Sequence, residues 1–259
     1  MNRTGLAIAL AIAAVVGVLF AIYPQFDLQI SALFFDPHSH LFRLNAQPWV
    51  MFVRDVARWL VALIVAPAVL ALAGRLVMPD RRPLIGGRAA LLMLLTLALG
   101  PGVLANLILK DHWGRARPLD TIEFGGTFPF IPWWDPRGDC RDNCSFIAGE
   151  PSGAFWTLAP AALTPPQWRL LAYGGALCFG AAVGLMRIAG GGHFFTDVAF
   201  AGVFMFLLIW LTHGLLFRWA ATRTTDEAVE RPLVQAGEAL RGGLAALARR
   251  FGGHTGRSS

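Results

Sequence analysis

The chain has 259 residues, 56% of them hydrophobic and 15% charged, with a mean hydropathy of +0.55 and a net charge of +6 at pH 7. A soluble domain carries about 25% charged residues, so the composition excludes an ordinary soluble globule. The basic excess calls for no nucleic acid, because most of it falls in a loop and a tail where membrane topology demands it.

A membrane helix needs roughly 20 mostly apolar residues. Leu6 to Tyr23 meets this, and so do Leu60 to Val77, Ala89 to Leu109, Leu170 to Met186 and Val198 to Phe217. A sixth run, Ala154 to Leu163, is short, and becomes long enough only if its helix starts near Ser152 and continues to about Thr164. The first run could be a cleaved signal peptide, but it is long and exits through "YPQFD" without a small-x-small site, so it is read as an uncleaved helix. Arginines cluster after the second span (Arg75, Arg81, Arg82, Arg88) and in the tail after the sixth (Arg218, Arg223, Arg231, Arg241, Arg249, Arg250, Arg257). Both stretches therefore read as cytoplasmic. The expected architecture is all-α: one domain over 1–221, a six-transmembrane-helix bundle with both termini inside, followed by a basic tail over 222–259. Leu233, Leu240, Leu244, Leu247 and Phe251 recur in that tail at helical spacing, which predicts a helix lying on the anionic membrane surface. The loops 24–58, 110–151 and 187–193 then face outward, which in a bacterium is the periplasm. In that oxidising compartment Cys140 and Cys144 of "CRDNC" are read as a local disulfide, with two free thiols as the alternative. Cys178 lies mid-helix and is read as packing.

Three charged stretches converge on the outward face, and ionisable groups gathered at one membrane face suggest function. They are "KDHWGRARP" at 110–118, "GEPSGAF" at 149–155 and "MRIAGGGHFFTD" at 186–197. Lys110 is the only lysine in the chain, and Lys110, Arg117 and Arg187 supply three cations. Ser152 and Gly153 sit near a helix N-terminus, where N–H groups and the helix dipole favour an anion. His193 and Asp197 are four residues apart and can meet on one turn, leaving the second imidazole nitrogen to act. Cations around a nucleophilic histidine suit phosphoryl transfer, because they spread the charge of the equatorial oxygens.

The spacing resembles the membrane-bound branch of the type 2 phosphatidic acid phosphatase (PAP2) family, whose signature runs K-x6-R-P, P-S-G-H, S-R-x5-H-x3-D. Lys110 and Arg117-Pro118 match the first part, Pro151-Ser152-Gly153 most of the second, and Arg187, His193 and Asp197 the third, with Met186 in place of its serine. The resemblance implies that His193 is a nucleophile that becomes a phosphohistidine and that Asp197 orients it. It also implies that Lys110, Arg117, Arg187, Ser152 and Gly153 cradle the phosphate. Arg115 and Glu150 are secondary candidates, Arg115 for holding phosphate and Glu150 for giving a proton if burial raises its pKa. An ammonium and a guanidinium are not equivalent at such a site, which accounts for one lysine kept among arginines. No cofactor and no metal is expected.

One position departs from the pattern: Ala154 stands where the family carries the histidine thought to protonate the leaving group. Two readings stay open. The chain is an active enzyme whose substrate leaves easily, such as a diphosphate or the 1-phosphate of lipid A; "NCSFIAGEPSGAFW" looks similar to bacterial lipid A phosphatases. Alternatively it is disarmed, by nature or by design, and binds a lipid phosphate without turnover. A transporter with an anion site would show paired half-helices or an inverted repeat, and neither is visible. The expected partners are membrane lipids and a lipid-linked phosphate: lipid A, undecaprenyl diphosphate or a phospholipid phosphate. Aromatic residues of the outer loops, Trp113, Phe124, Trp133 and Trp134 among them, are read mainly as an interfacial belt.

Overall fold

The structure, a computed structural model, describes residues 2–45 and 47–252. Nine helices are named here in chain order: α1 (Arg3–Ile22), α2 (Gln25–Ala32), α3 (Pro48–Val77), α4 (Gly87–His112), α5 (Gly149–Phe155), α6 (Leu158–Leu163), α7 (Pro166–Ala189), α8 (Phe195–Arg218) and α9 (Asp226–Gly252). A two-residue antiparallel hairpin pairs Phe35 with Phe42 and Asp36 with Leu41 between α2 and α3.

Among the described residues, five helices are long and apolar enough to cross a membrane: α1, α3, α4, α7 and α8. Their outward faces carry exposed Ile8, Val15, Leu63, Leu70, Leu170 and Leu171, as a lipid solvent favours. The run expected as a sixth span is instead broken between Phe155 and Leu158 into α5 and α6. Together they rise only roughly 22 Å at 1.5 Å per residue, short of the roughly 30 Å hydrocarbon core. They are also enclosed by protein: Ser152, Ala154, Trp156, Leu158 and Ala159 are buried, and the Trp156 indole donates to Met93 O and Thr96 Oγ1, both at 3.0 Å. An irregular segment survives at membrane depth only when other helices satisfy it.

α4 carries Pro101, which lacks an N–H and widens the helix into π-helical turns over Ala98–Leu109. Asn106 Nδ2 donates to Pro101 O at 2.6 Å across this stretch. The widened turns end at Lys110, the first residue of the first charged stretch.

The loop 113–148 folds onto the ends of the bundle. Many of its aromatic rings pack inward rather than ringing the interface. Trp113 stacks on Phe146 at 4.9 Å, and Trp133 meets Phe200 at 4.4 Å. Phe124 closes against Phe35 and Phe42 of the hairpin at 5.1 and 5.2 Å. Trp49 and Trp134 remain exposed, as a belt requires.

The tail is helical and its first half is docked. Glu230, buried, accepts from Arg75 Nε at 2.6 Å and from the Gly87 N–H at 2.9 Å. Asp226 accepts from the Arg88 N–H at 2.9 Å, so the tail supplies acidic caps to the start of α4. Arg241 pairs with Asp80 at 2.9 Å. Leu240, Leu244 and Leu247 stay exposed along one stretch. The side chains of Arg249, Arg250 and Phe251, and the whole of Arg257, lie outside the described residues.

Candidate active site

His193 sits in the turn between α7 and α8, and only 2% of it is exposed. Its Nδ1 lies 2.8 Å from the carbonyl oxygen of Ser145. A carbonyl only accepts, so the proton is on Nδ1 and the Nε2 lone pair is left to react. Asp197 does not make this bond. Its Oδ2 is 3.8 Å from Nδ1, beyond hydrogen-bond length. Ser145 stands between them: its hydroxyl donates to Asp197 Oδ2 at 2.5 Å and lies 3.4 Å from Nδ1. Asp197 also accepts from the Phe194 N–H at 2.8 Å, which ties it to the first turn of α8. Burial holds His193 down to a pKa of about 4; the charges of Arg187 and Lys110 push the same way, and Asp197 opposes them.

Arg115 is placed as a structural hub, turned into the core and absent from the cavity wall beside Lys110. It is completely buried, and its guanidinium is engaged on all three nitrogens. Nε donates to Ile131 O at 2.9 Å, Nη1 to Thr196 Oγ1 at 2.8 Å and Asp197 Oδ1 at 2.5 Å, and Nη2 to Asp27 Oδ2 at 2.8 Å. Phe194 covers it at 4.3 Å from the ring centroid. Asp27, from α2, accepts in turn from the Thr196 N–H at 3.0 Å and so caps α8 from outside. Burial raises the pKa of Asp27 against the pull of Arg115.

The three expected cations are brought to this end of the bundle. Cys140 and Cys144 form the expected disulfide. The loop it closes presents Asn143, whose Oδ1 accepts from Lys110 Nζ at 3.1 Å and whose backbone carbonyl accepts from Arg117 Nη2 at 2.8 Å. The Nε–H groups of Arg117 and Arg187 are buried and have no hydrogen-bond partner among the described residues. Buried donors are normally satisfied, and phosphate oxygens would satisfy these with charge-assisted bonds.

A cavity of about 270 Å³ opens beside Lys110, lined also by Arg54, Asn106, Gly149, Glu150, Gly153 and Ala154. A Cβ on Gly153 would meet nothing within 4 Å, so that position faces open space. Ser152 turns the other way: it is fully buried, and both its N–H and its hydroxyl donate to Ala148 O, at 2.9 and 2.8 Å. Glu150 is no proton donor in this arrangement. Burial would raise its pKa, but Arg54 grips both carboxylate oxygens, at 2.9 and 2.5 Å, and holds it below its usual range. Among the described residues no three His, Cys, Asp or Glu side chains are grouped to hold a metal ion.

Sequence reasoning passed over Asp27, Arg54, Asn143 and Ser145. Arg54 had a signal, as a charged residue in "VRDVAR" just before an apolar run, with Arg58 four residues on. Ser145 lay within the "NCSFIAGEPSGAFW" stretch that resembles lipid A phosphatases, but nothing in its position gave it a role beside His193.

Gly192 shows how the turn is fitted to the site. A Cβ there would lie 2.4 Å from Arg187 Nη2. The obstacle is the end of a flexible side chain, so Gly192→Ala is expected to displace the guanidinium and leave the fold standing. Misplacement by about 1 Å can lower a rate about 10²-fold; a loss of that size in kcat/KM with an unchanged Tm is the expected result, read from kinetics and thermal unfolding.

Comparison with known proteins gives consistent similarities. The PAP2 superfamily matches residues 89–221, which hold the three charged stretches. A lipid A 4′-phosphatase of Francisella tularensis subsp. novicida is 32% identical over 219 residues, spanning 84% of this chain and 98% of that protein. A lipid A 4′-phosphatase of Rhizobium leguminosarum is 34% identical over 122 residues, 47% of this chain and 49% of that protein. Among solved structures, a transmembrane PAP2 type phosphatidylglycerolphosphate phosphatase from Bacillus subtilis aligns over 82% of this chain and 94% of its own, with 20% identity and a TM-score of 0.48.

Proposed function

Because the chain belongs to the PAP2 superfamily, we propose that it is an integral-membrane phosphatase that removes a phosphate from lipid A, at the 4′ position, through a phosphohistidine on His193. The observation that carries the chemistry is the contact of His193 Nδ1 with the Ser145 carbonyl, which leaves Nε2 unprotonated on a ring within electrostatic reach of Lys110 and Arg187. The substrate rests on the names of the two relatives. Nε2 attacks phosphorus in line while the cations take up charge on the equatorial oxygens. Ser145 and Asp197 hold the Nδ1–H side of the ring and stabilise the imidazolium that forms. Water then cleaves the N–P bond. Lys110, Arg117, Arg187 and Gly153 form the phosphate cradle, and Ser152 supports it from behind through the α5 backbone.

The arginine-rich α3–α4 loop and tail support a cytoplasmic placement of that end. The site then opens on the periplasmic face of a bacterial inner membrane, with α5–α6 as the sixth and buried segment of the bundle. The reaction uses no metal. A second reading is favoured by Ala154, which leaves no histidine on the cavity wall: a weakened or inactive protein that binds a lipid phosphate.

Two measurements of phosphate release from lipid A in detergent test the proposal. Release is expected to be unchanged in EDTA; loss in EDTA with recovery in Mg²⁺ would refute metal independence. The acid limb of kcat/KM is expected near pH 4, not near the ordinary histidine value of 6.5, because His193 stays neutral until then. The sign for stability is the same. The unfolded chain binds this proton more readily, so the contribution of His193 is complete above pH 6.5 and is lost as pH falls through about 4.

A further inference from the structure

As the ester bond to phosphorus breaks, the departing oxygen needs a proton or a positive charge beside it. A sugar alkoxide is a poor leaving group, so the need is acute. The cavity wall holds one carboxyl group, Glu150, and no histidine. Glu150 is clamped as a carboxylate by Arg54 and has no proton to give. Arg54 itself is better placed. It reaches the cavity from α3, 96 residues away in sequence, and spends Nε and Nη2 on Glu150. Its Nη1, with two N–H groups, makes no hydrogen bond among the described residues. The Glu150 fork fixes the plane of the guanidinium, so this nitrogen is oriented in advance. Ala154, small where a histidine could have stood, lines the same cavity. His193 is within electrostatic reach of Lys110 and Glu150, both on this wall.

We propose that Arg54 is a further catalytic residue of the lipid phosphatase reaction, with its Nη1 donating to the departing oxygen. The inference rests on that functional reading. In the step, His193 Nε2 forms the N–P bond as the P–O ester bond breaks, and the oxygen leaves with the electron pair. Arg54 stabilises the alkoxide, which takes its proton from water. The hydroxide equivalent so formed cleaves the N–P bond, releasing phosphate and restoring neutral His193. Arginine keeps its charge throughout the working pH range, so no alkaline limb arises from this group.

The test compares the purified protein with Arg54→Ala and Arg54→Gln on lipid A and on p-nitrophenyl phosphate, whose leaving group departs unaided. Glutamine keeps a hydrogen bond to Glu150 and guards against a folding defect. Both variants are expected to lose about 10²–10³-fold in kcat on lipid A, the scale of one lost oxyanion donor, and less than about tenfold on the aryl ester. Equal loss on both substrates overturns the proposal and leaves Arg54 as a positioning partner of Glu150. Rapid-quench measurement on lipid A needs no second substrate. The variants should form phosphohistidine slowly and hydrolyse it at the parent rate; slowing of both steps overturns the proposal. A parent protein that releases no phosphate from either compound refutes the phosphatase reading itself, a result distinct from equal loss.

Discussion

His193→Ala is expected to reduce phosphate release from lipid A by a factor on the order of 10⁴ to 10⁶, the scale seen when a covalent nucleophile is removed from a preorganised site. The loss should fall on kcat. In the proposed cradle Lys110, Arg117 and Arg187 would hold the phosphate independently of the imidazole, so lipid binding should survive. Ser145→Ala should be milder. It removes the hydroxyl bridge to Asp197 but keeps the backbone carbonyl that fixes the Nδ1 proton. The pair of variants therefore separates the two halves of the histidine support. A His193→Ala protein that still turns over lipid A within tenfold of the parent would contradict the assignment of the nucleophile.

Arg115→Met is expected to destabilise the protein by about 3–5 kcal/mol, the range for breaking a buried ion pair from one side. The guanidinium is wholly enclosed and serves Asp27, Asp197 and Thr196 together. Removing it strands two buried carboxylates. Arg115→Lys should fare little better, because one ammonium cannot span three nitrogens' worth of partners. Asp27→Asn in the Arg115→Met background should recover part of the loss, since one stranded charge is gone. Unfolding in mild detergent, run as a double-mutant cycle, gives the coupling. Additive effects of the two changes would show that Asp27 and Arg115 do not act as a unit.

The contrast between Lys110 and Arg115 shows what a sequence can and cannot disclose. Both lie in one short stretch, and both are basic residues near a membrane face. Lys110 faces a cavity and Arg115 faces the core, because the 113–148 loop folds back over Arg115 and brings Ile131 onto its Nε. Local spacing reports which residues share a turn; it does not report which distant segment will cover them. The same limit hid Asp27, which meets Thr196 across 169 residues, and Arg54, which meets Glu150 across 96. The five long apolar runs were legible because lipid requires them whatever the fold. The α5–α6 break was not, since a segment enclosed by protein need not satisfy the length that lipid imposes. The Cys140–Cys144 link was legible because both ends lie four positions apart in one loop, and its use, presenting Asn143 to Lys110 and Arg117, emerged only in three dimensions. The tail periodicity matches the helix α9, while the docking of Glu230 on Arg75 depended on partners more than 150 residues away.

The most direct measurement is the mass spectrum of lipid A after incubation with the detergent-purified protein in EDTA, with His193→Ala alongside. The predicted result is loss of one phosphate, mapped to the 4′ position, with the lipid unchanged in the variant. Lipid A that keeps both phosphates while undecaprenyl diphosphate or phosphatidylglycerol phosphate is turned over would contradict the substrate. Lipid A dephosphorylated equally by His193→Ala would contradict the mechanism.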